Sequence, residues 1–441
     1  MNRTFWDWSS KPYDGETDTG AVGWQNGPIR GERLQRVRHM DSTKGQRPLD
    51  GYRVLEMGQL LAGPFAASVL GYFGAEVIKI EPPGAGDPIR TWRVMKDGVS
   101  LWWHSLGRNK KSVTLDLRTP KGRAMARELA LKSDVLIENF RPGTLEKWGL
   151  GPKDLWEKNP GLIYGRISGY GQDGPYAAKP GFASVCEGVG GFRYVNGFPG
   201  EAPVRPNLSI GDTLAGIHCV LGILLACIQR SRDPKRRGQV IDAALYESVF
   251  NLMEGVVPEY SGAGVVREPS GSTLTGIVPT NTYRCKDGKF VIIGGNGDSI
   301  YKRLMQAIGR PELGDDPRMA DNAGRVVHEK ELDQAIGAWT GSLTAAQVLE
   351  VLGDAQVPSG PIYSVADMLA DPHFNARGLF EEVQVNGEPL KIPAMMPFLS
   401  DTPGRTDWPG PGVGEHNTEI LGNLLGYGPD ELKALSRDGV I

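Results

Sequence analysis

Short apolar, β-branched runs alternate with longer amphipathic stretches along most of the chain, and this alternation predicts β-α-β units. Residues 52–57 and 75–81 read as strands, and between them Gly63-Pro64 opens a helical stretch over 65–73. Such a unit implies a parallel sheet. Further strands are predicted over 112–117, 134–138 and 162–168, with a helix over 121–132. A long apolar helix follows over 207–231, opening near Asp212, then a short strand over 240–244 and a helix over 245–256. The fold class expected is α/β, with a doubly wound, Rossmann-like large domain and a smaller α/β domain. No GxGxxG follows the first strand, so the phosphate-cradling dinucleotide loop is absent.

The smaller domain is expected to begin with a strand-turn-strand around Lys286-Asp287-Gly288-Lys289, followed by helices over 299–308 and 343–352. The stretch 360–363 and a helix over 365–370 lead out of it, and the tail ends in a helix near 430–435. The resulting division is an N-terminal extension over 1–47 and a large domain from 48–240 with 376–441. Between its two parts lie a linker helix and glycine-rich loop over 241–278, a small domain over 279–362 and a return linker over 363–375. The extension has no sustained hydrophobic period, and Asp14, Glu16, Asp18 and Glu32 argue against a transit peptide. It reads either as an unstructured appendage or as an arm that wraps a partner subunit.

Composition narrows the function classes. A net charge of -3 recommends neither nucleic acid nor an anionic membrane as partner. The longest apolar run, 219–228, is about half the roughly 20 residues a membrane span needs, and reads as a buried helix. The four cysteines form no CxxC pair and the six histidines do not cluster near them, so no zinc site is expected. Reduced thiols in a cytoplasmic setting are the expectation, with Cys186 and Cys227 in the core. The 60 glycines and 32 prolines are spread along the chain and signal many turns and close backbone approaches.

One acidic residue stands out. Gly211-Asp212 opens the long apolar helix, where a carboxylate gains about 0.3–1 kcal/mol from the helix end. It is therefore either a simple cap or a carboxylate held ionised for chemistry. Arg90, Arg93, Arg108, Lys110 and Lys111 are candidates for phosphate contacts, because charge-assisted bonds to phosphate are strong. Each also reads as an ordinary solvated charge. Trp102, Trp103 and Trp148 read as core or edge packing.

Four ordered segments carry a family resemblance. They are Leu61-Ala62-Gly63-Pro64 with Gly74-Ala75-Glu76-Val77-Ile78-Lys79-Ile80-Glu81; Arg108-Asn109-Lys110-Lys111-Ser112 with Glu138-Asn139-Phe140-Arg141-Pro142-Gly143; Ser168-Gly169-Tyr170-Gly171-Gln172-Asp173-Gly174-Pro175; and Gly211-Asp212-Thr213-Leu214-Ala215-Gly216. In this order, from about residue 48 to about 425, they resemble class III CoA-transferases of the formyl-CoA transferase and CaiB–BaiF type.

The resemblance implies CoA transfer between carboxylic acids, through an aspartyl anhydride and an aspartyl-CoA thioester on Asp212. It implies a CoA thioester as substrate, no permanently bound cofactor and no metal. Leu61, Ala62, Asn139, Phe140 and Lys147 fall on the family's CoA-contact positions, as do Leu115 and Leu117, apolar walls for the adenine. The stretch 271–276, with Gly271 and Gly276 at its ends, resembles the family's glycine-rich lid; it also reads as a plain hinge. The family further implies an interlocked homodimer. Leu61 stands where oxalate-handling members carry Gln, which disfavours an oxalate acceptor. Phe182 follows Gly181 where racemases carry His-Asp, and a phenyl ring cannot move a proton, so a racemase is disfavoured. Arg193, Arg205 and Arg284 are candidate partners for a second carboxylate. They favour a succinyl-CoA-dependent transferase acting on a dicarboxylate over a racemase, a hydratase or a non-catalytic CoA-binding protein. Glu187, one helical turn beyond Ala183, is either structural or a neighbour of Asp212.

Overall fold

The computed structural model describes residues 45–441, and the N-terminal extension lies outside the described residues but for Gly45, Gln46 and Arg47. Six parallel strands form the main sheet: β1 Arg53–Glu56, β2 Glu76–Glu81, β3 Lys110–Thr114, β4 Val135–Glu138, β5 Ile163–Ser168 and β6 Val240–Ala244. Their order across the sheet is β3-β2-β1-β4-β5-β6. Neighbouring residues point to opposite faces, and each face has its own apolar layer. Val54, Val77, Val135 and Ile163 pack beneath helices α1 Ala62–Tyr72 and, beyond it in sequence, Ile210–Arg232. Leu55, Ile78, Val113, Leu136 and Tyr164 pack beneath α2 Pro120–Leu131 and the C-terminal residues Ile420 and Leu421. Both faces are apolar and covered, as a parallel sheet requires.

A second core gathers around a three-stranded antiparallel sheet of Thr280–Arg284, Phe290–Gly294 and Ser359–Pro361. The helices Asp298–Ala307, Glu329–Ser342 and Ala345–Asp354 pack on it.

Two sequence expectations need correction. The strand read at 112–117 begins at Lys110, because Lys110 and Lys111, which look like solvated charges, are neutralised where they stand. The helix read over 245–256 splits into Leu245–Phe250 and Val256–Ala263, where Glu254 takes a positive φ of 43° ahead of Gly255. The long apolar helix read over 207–231 is Ile210–Arg232. It spans 23 residues, long and apolar enough by length and composition to cross a membrane. Its inner face, with Ala215, Cys219, Ile223 and Ala226, is built into the core instead. All four cysteines are buried free thiols.

Beneath the β1–α1 connection lies a fully buried ion network. Lys79 Nζ meets Glu56 Oε1 at 2.7 Å and Asp87 Oδ2 at 2.8 Å, and donates to the Gly58 carbonyl at 3.0 Å. Lys110 Nζ meets Glu56 Oε2 at 2.7 Å and donates to the Pro64 carbonyl at 2.7 Å. Asp87 Oδ1 accepts the amide of Leu60, a residue held at a φ of 64°. Two cations and two anions balance away from water, and burial pushes the Lys110 ammonium down to about 8. Removing one partner of such a network strands a buried charge at a cost of about 3–5 kcal/mol. Lys79→Met should therefore lower unfolding stability by roughly that amount in urea titration. Arg118→Ala, which breaks an exposed pair with Asp116, should leave the midpoint unchanged.

Candidate active site

In open parallel sheets, ligands bind beyond the carboxyl ends of the strands, at the point where strand order reverses. Here that point lies between β1 and β4, and a cleft of about 950 Å³ opens there. Its floor is Gln59, Leu60, Leu61 and Ala62 after β1, with Asn139 and Phe140 after β4. Ile167, Ser168 and Gly169 of β5 and its exit continue it, and Arg205, Leu208 and Asp212 close the other side.

Two local devices fix the floor. Asn139 Oδ1 accepts the Gln59 amide at 2.8 Å while its Nδ2 donates to the Gln59 carbonyl at 2.8 Å, stapling the two strand exits together. Glu138 Oε2 accepts the Phe140 amide at 2.7 Å, and its Oε1 accepts from Arg166 Nε at 2.7 Å. Burial, against the pull of Arg166, raises the Glu138 carboxyl to about 7.

Asp212 lies in the first turn of the helix Ile210–Arg232. The cap position is Ser209, which makes no side-chain capping bond, so Asp212 is not the simple cap considered from sequence. Gly216, one turn on, lets this helix approach α1 closely. A Cβ there would sit 2.9 Å from Phe65 Cδ1 and 3.0 Å from the Ala62 carbonyl oxygen. Burial pushes the Asp212 carboxyl up to about 6; the negative Glu187 adds to the rise and Arg205 opposes it.

Glu187 is fully buried on the helix Ala183–Val189. Its Oε2 accepts from Arg193 Nε at 3.2 Å and Nη2 at 3.1 Å, and its Oε1 accepts the Gly211 amide at 3.4 Å. Arg205 Nε lies 3.5 Å from the same Oε2. Of the two sequence readings of Glu187, the structure places it beside Asp212. Cys186, on the same helix, has its thiol pushed up to about 11 by burial and nearby carboxylates, which makes it a poor nucleophile.

A second cavity, of about 560 Å³, is walled by Leu115, Leu117, Phe140, Trp148 and Pro83. Gln59 and Phe140 line both cavities, so the two adjoin. Leu61, Ala62, Asn139 and Phe140 are thus gathered with Asp212, and Leu115 and Leu117 lie next door. Arg93 lines the first cavity with its guanidinium over Trp102. The other basic candidates are engaged elsewhere. Arg90 meets both oxygens of Glu81 at 2.7 Å and lies over the Trp103 ring. Arg108 is held by Ser105 and the Pro393 carbonyl, Lys110 by Glu56, and Lys111 by Glu76 and Glu419. None of these four lines either cavity. Lys147 is exposed at the end of the short helix Thr144–Lys147 and lines neither cavity.

Gly271 and Gly276 both take positive φ, 71° and 78°. Gly271 donates its amide to the Gly197 carbonyl and abuts Phe198, and neither glycine lines the Asp212 cleft. Arg284 belongs to the small sheet. Sequence reading passed over Gln59 and quoted Arg141 only within a segment, and both line the cleft; Trp148, read as packing, packs against the core and also walls the second cavity. The one signal for Gln59 was its place between the first strand and the Leu61 motif. Among the described residues no three His, Cys, Asp or Glu side chains gather as a metal site.

Known proteins resemble this chain in sequence and fold. The chain is 49% identical over 405 residues to the succinyl-CoA–D-citramalate CoA-transferase of Chloroflexus aurantiacus, covering 91% of this chain and all of that one. It is 43% identical over 400 residues to the alpha subunit of a succinyl-CoA–L-malate CoA-transferase of Chloroflexus aurantiacus, covering 90% of this chain and 93% of the relative. A CaiB/BaiF family protein from Brucella suis has a similar crystal structure, with a TM-score of 0.75 at 34% identity, over 86% of this chain and 100% of that one. The model of CoA-transferase family III matches residues 49–417, a span that takes in the sheet, the stapled floor and Asp212. The chain is therefore an enzyme of CoA-transferase family III.

Proposed function

We propose that the protein moves CoA from succinyl-CoA to a dicarboxylic acid of the citramalate or malate kind, with Asp212 as the nucleophile. The observation that carries this reading is the half-buried carboxylate of Asp212, raised above its ordinary range, in a cleft that adjoins an apolar cavity suited to a CoA moiety. Similarity to the citramalate and malate transferases over about 90% of the chain supports the choice of acids.

The steps balance without water, ATP or a net proton. A carboxylate oxygen of Asp212 adds to the succinyl thioester carbonyl, the C–S bond breaks, and CoA leaves as thiolate. The thiolate adds to the aspartyl carbonyl of the anhydride, and succinate departs with the electron pair of the C–O bond. The acceptor carboxylate then displaces thiolate from the aspartyl thioester, and thiolate takes the acceptor acyl group, restoring the Asp212 carboxylate. Splitting the exchange in this way replaces one difficult step by easier ones. Backbone amides at the start of the helix Ile210–Arg232 supply positive potential near the developing oxyanions. Leu115, Leu117, Phe140 and Trp148 offer apolar surface to the nucleotide end of CoA, while Leu61 and Ala62 flank the reacting end. The loop 271–276 takes part as a lid only after movement toward the cleft.

The outer face of Ile210–Arg232 supports a homodimeric state, interlocked as in the family. Ile217, Leu221, Leu224, Leu225 and Ile228 are 36–57% exposed on it, a contiguous apolar stripe of the kind that marks a subunit contact.

Incubation with succinyl-CoA and no acceptor should leave CoA bound to the peptide containing Asp212, read by mass spectrometry after digestion. Asp212→Asn should show no adduct and no transfer, and an adduct on Cys186 instead would overturn the assignment. The variant should also be more stable than the parent at neutral pH, by roughly 1–3 kcal/mol in urea unfolding, because an ionised carboxylate is no longer buried. The raised Asp212 carboxyl fixes the direction: the gain is full above pH about 6 and fades as pH falls toward the ordinary carboxylate range, where both states bind the proton. Transfer itself should decline as pH falls through about 6, as the nucleophile protonates. Leu221→Glu with Leu225→Glu should yield monomers in analytical ultracentrifugation.

A further inference from the structure

Four charged side chains cluster at one side of the cleft: Asp212 and Arg205, which line it, and Glu187 and Arg193 behind them. Two guanidinium groups share one buried oxygen, Glu187 Oε2, and they do so unequally. Arg193 grips it with two nitrogens, at 3.1 and 3.2 Å, and its side chain is 23% exposed. Arg205 approaches it with Nε at 3.5 Å, without a hydrogen bond among the described residues, and is 41% exposed. Arg205 lines the cleft, and its guanidinium makes no hydrogen bond among the described residues. Glu187 Oε1 also accepts the amide of Gly211, tying the cluster to the residue before Asp212.

The formal charges of the four groups cancel. Acylation of Asp212 turns a carboxylate into a neutral ester-type carbonyl and leaves the cluster with one positive charge in excess. Arg193 is already committed to Glu187, so the uncompensated cation is Arg205, and it faces the cleft.

We propose that Arg205 is a specificity-determining residue that binds the far carboxylate of a dicarboxylic acid, and that Glu187 holds it for this task until Asp212 is acylated. This assignment rests on the reading of Asp212 as nucleophile. In the step concerned, an oxygen of the acceptor's near carboxylate adds to the aspartyl thioester carbonyl, the C–S bond breaks and the electron pair leaves on CoA thiolate. Before acylation, the field of Arg205 is balanced by the Asp212 carboxylate. Afterwards it is balanced only by a second carboxylate in the cleft. A monocarboxylic acid of the same length brings none, and leaves the guanidinium without a charged partner.

The test uses equilibrium binding and kinetics on the full chain. Asp212→Asn, a neutral stand-in for the acylated state, should bind succinate on the order of tenfold tighter than the parent in titration calorimetry, and butyrate no tighter. Adding Arg205→Gln to Asp212→Asn should erase that gain. Glu187→Gln with Asp212 intact should tighten succinate binding as well, since it removes one negative charge, whereas a purely structural Glu187 would only weaken it. In turnover, Arg205→Gln should reduce the ratio of kcat/KM for a dicarboxylate over a monocarboxylate acceptor by about tenfold to a hundredfold. The ratio separates this effect from general loss of activity, and circular dichroism checks the fold of each variant. An unchanged ratio in a folded Arg205→Gln enzyme, with the CoA adduct still forming on Asp212, would overturn the role of Arg205 alone. Failure of the parent enzyme to form that adduct would overturn the nucleophile instead.

Discussion

The cleft depends on charges that never meet water. Glu56 sits at the end of β1 and neutralises two lysines, Lys79 from β2 and Lys110 from β3. Their ammonium groups then hold the carbonyls of Gly58 and Pro64, the two sides of the turn that forms the cleft floor. Asp87 completes the arrangement by taking the amide of Leu60 at its positive φ. An apolar replacement of similar volume can be as stable as such a network, but it has no donors for those carbonyls. The network's contribution is therefore to shape: it sets the path of the chain between β1 and α1.

That path explains how much could be read in advance. The parallel sheet was legible because its strands are apolar on both faces, and because Gly63-Pro64 punctuates the first crossover. The cleft's position was legible through Asp212, Leu61 and Asn139, which sit in recognisable surroundings. The network was not legible. Glu56, Lys79 and Lys110 are far apart in sequence, and a lysine in a strand reads as a surface charge until its partner is known. Arg90 and Arg108 misled for the same reason. Their side chains carry phosphate-binding chemistry, yet Glu81 and the Pro393 carbonyl engage it. Trp148 packs on the core as its sequence setting suggests, but that setting carries no sign that its other side walls a cavity.

The electrostatics of Asp212 follow from where its neighbours are anchored. Glu187 projects from a different helix and is itself buried, so it cannot swing away to relieve the repulsion. Arg193 and Arg205 offset that repulsion in part. The result is a half-buried carboxylate held above its ordinary range. Such a group is a stronger nucleophile toward a thioester than a fully hydrated one, and it costs the folded state stability.

The two walls of the cleft are built by different means. One is the floor joined by the reciprocal bonds between Asn139 and Gln59, so that the exits of β1 and β4 are constrained to shift as a single plate. The other runs from Asn196 to Ser209 without helix or strand, and it carries Arg205. A molecule entering between them meets one surface stapled across two strand exits and one held by a few turn hydrogen bonds, such as Gly271 to the Gly197 carbonyl, and by side-chain contacts. On the assignment proposed for Arg205, selectivity among acids of different length and branching belongs to the second surface. Substitutions along 196–209 would then let relatives on the same scaffold change acids while the stapled floor and Asp212 stay in place.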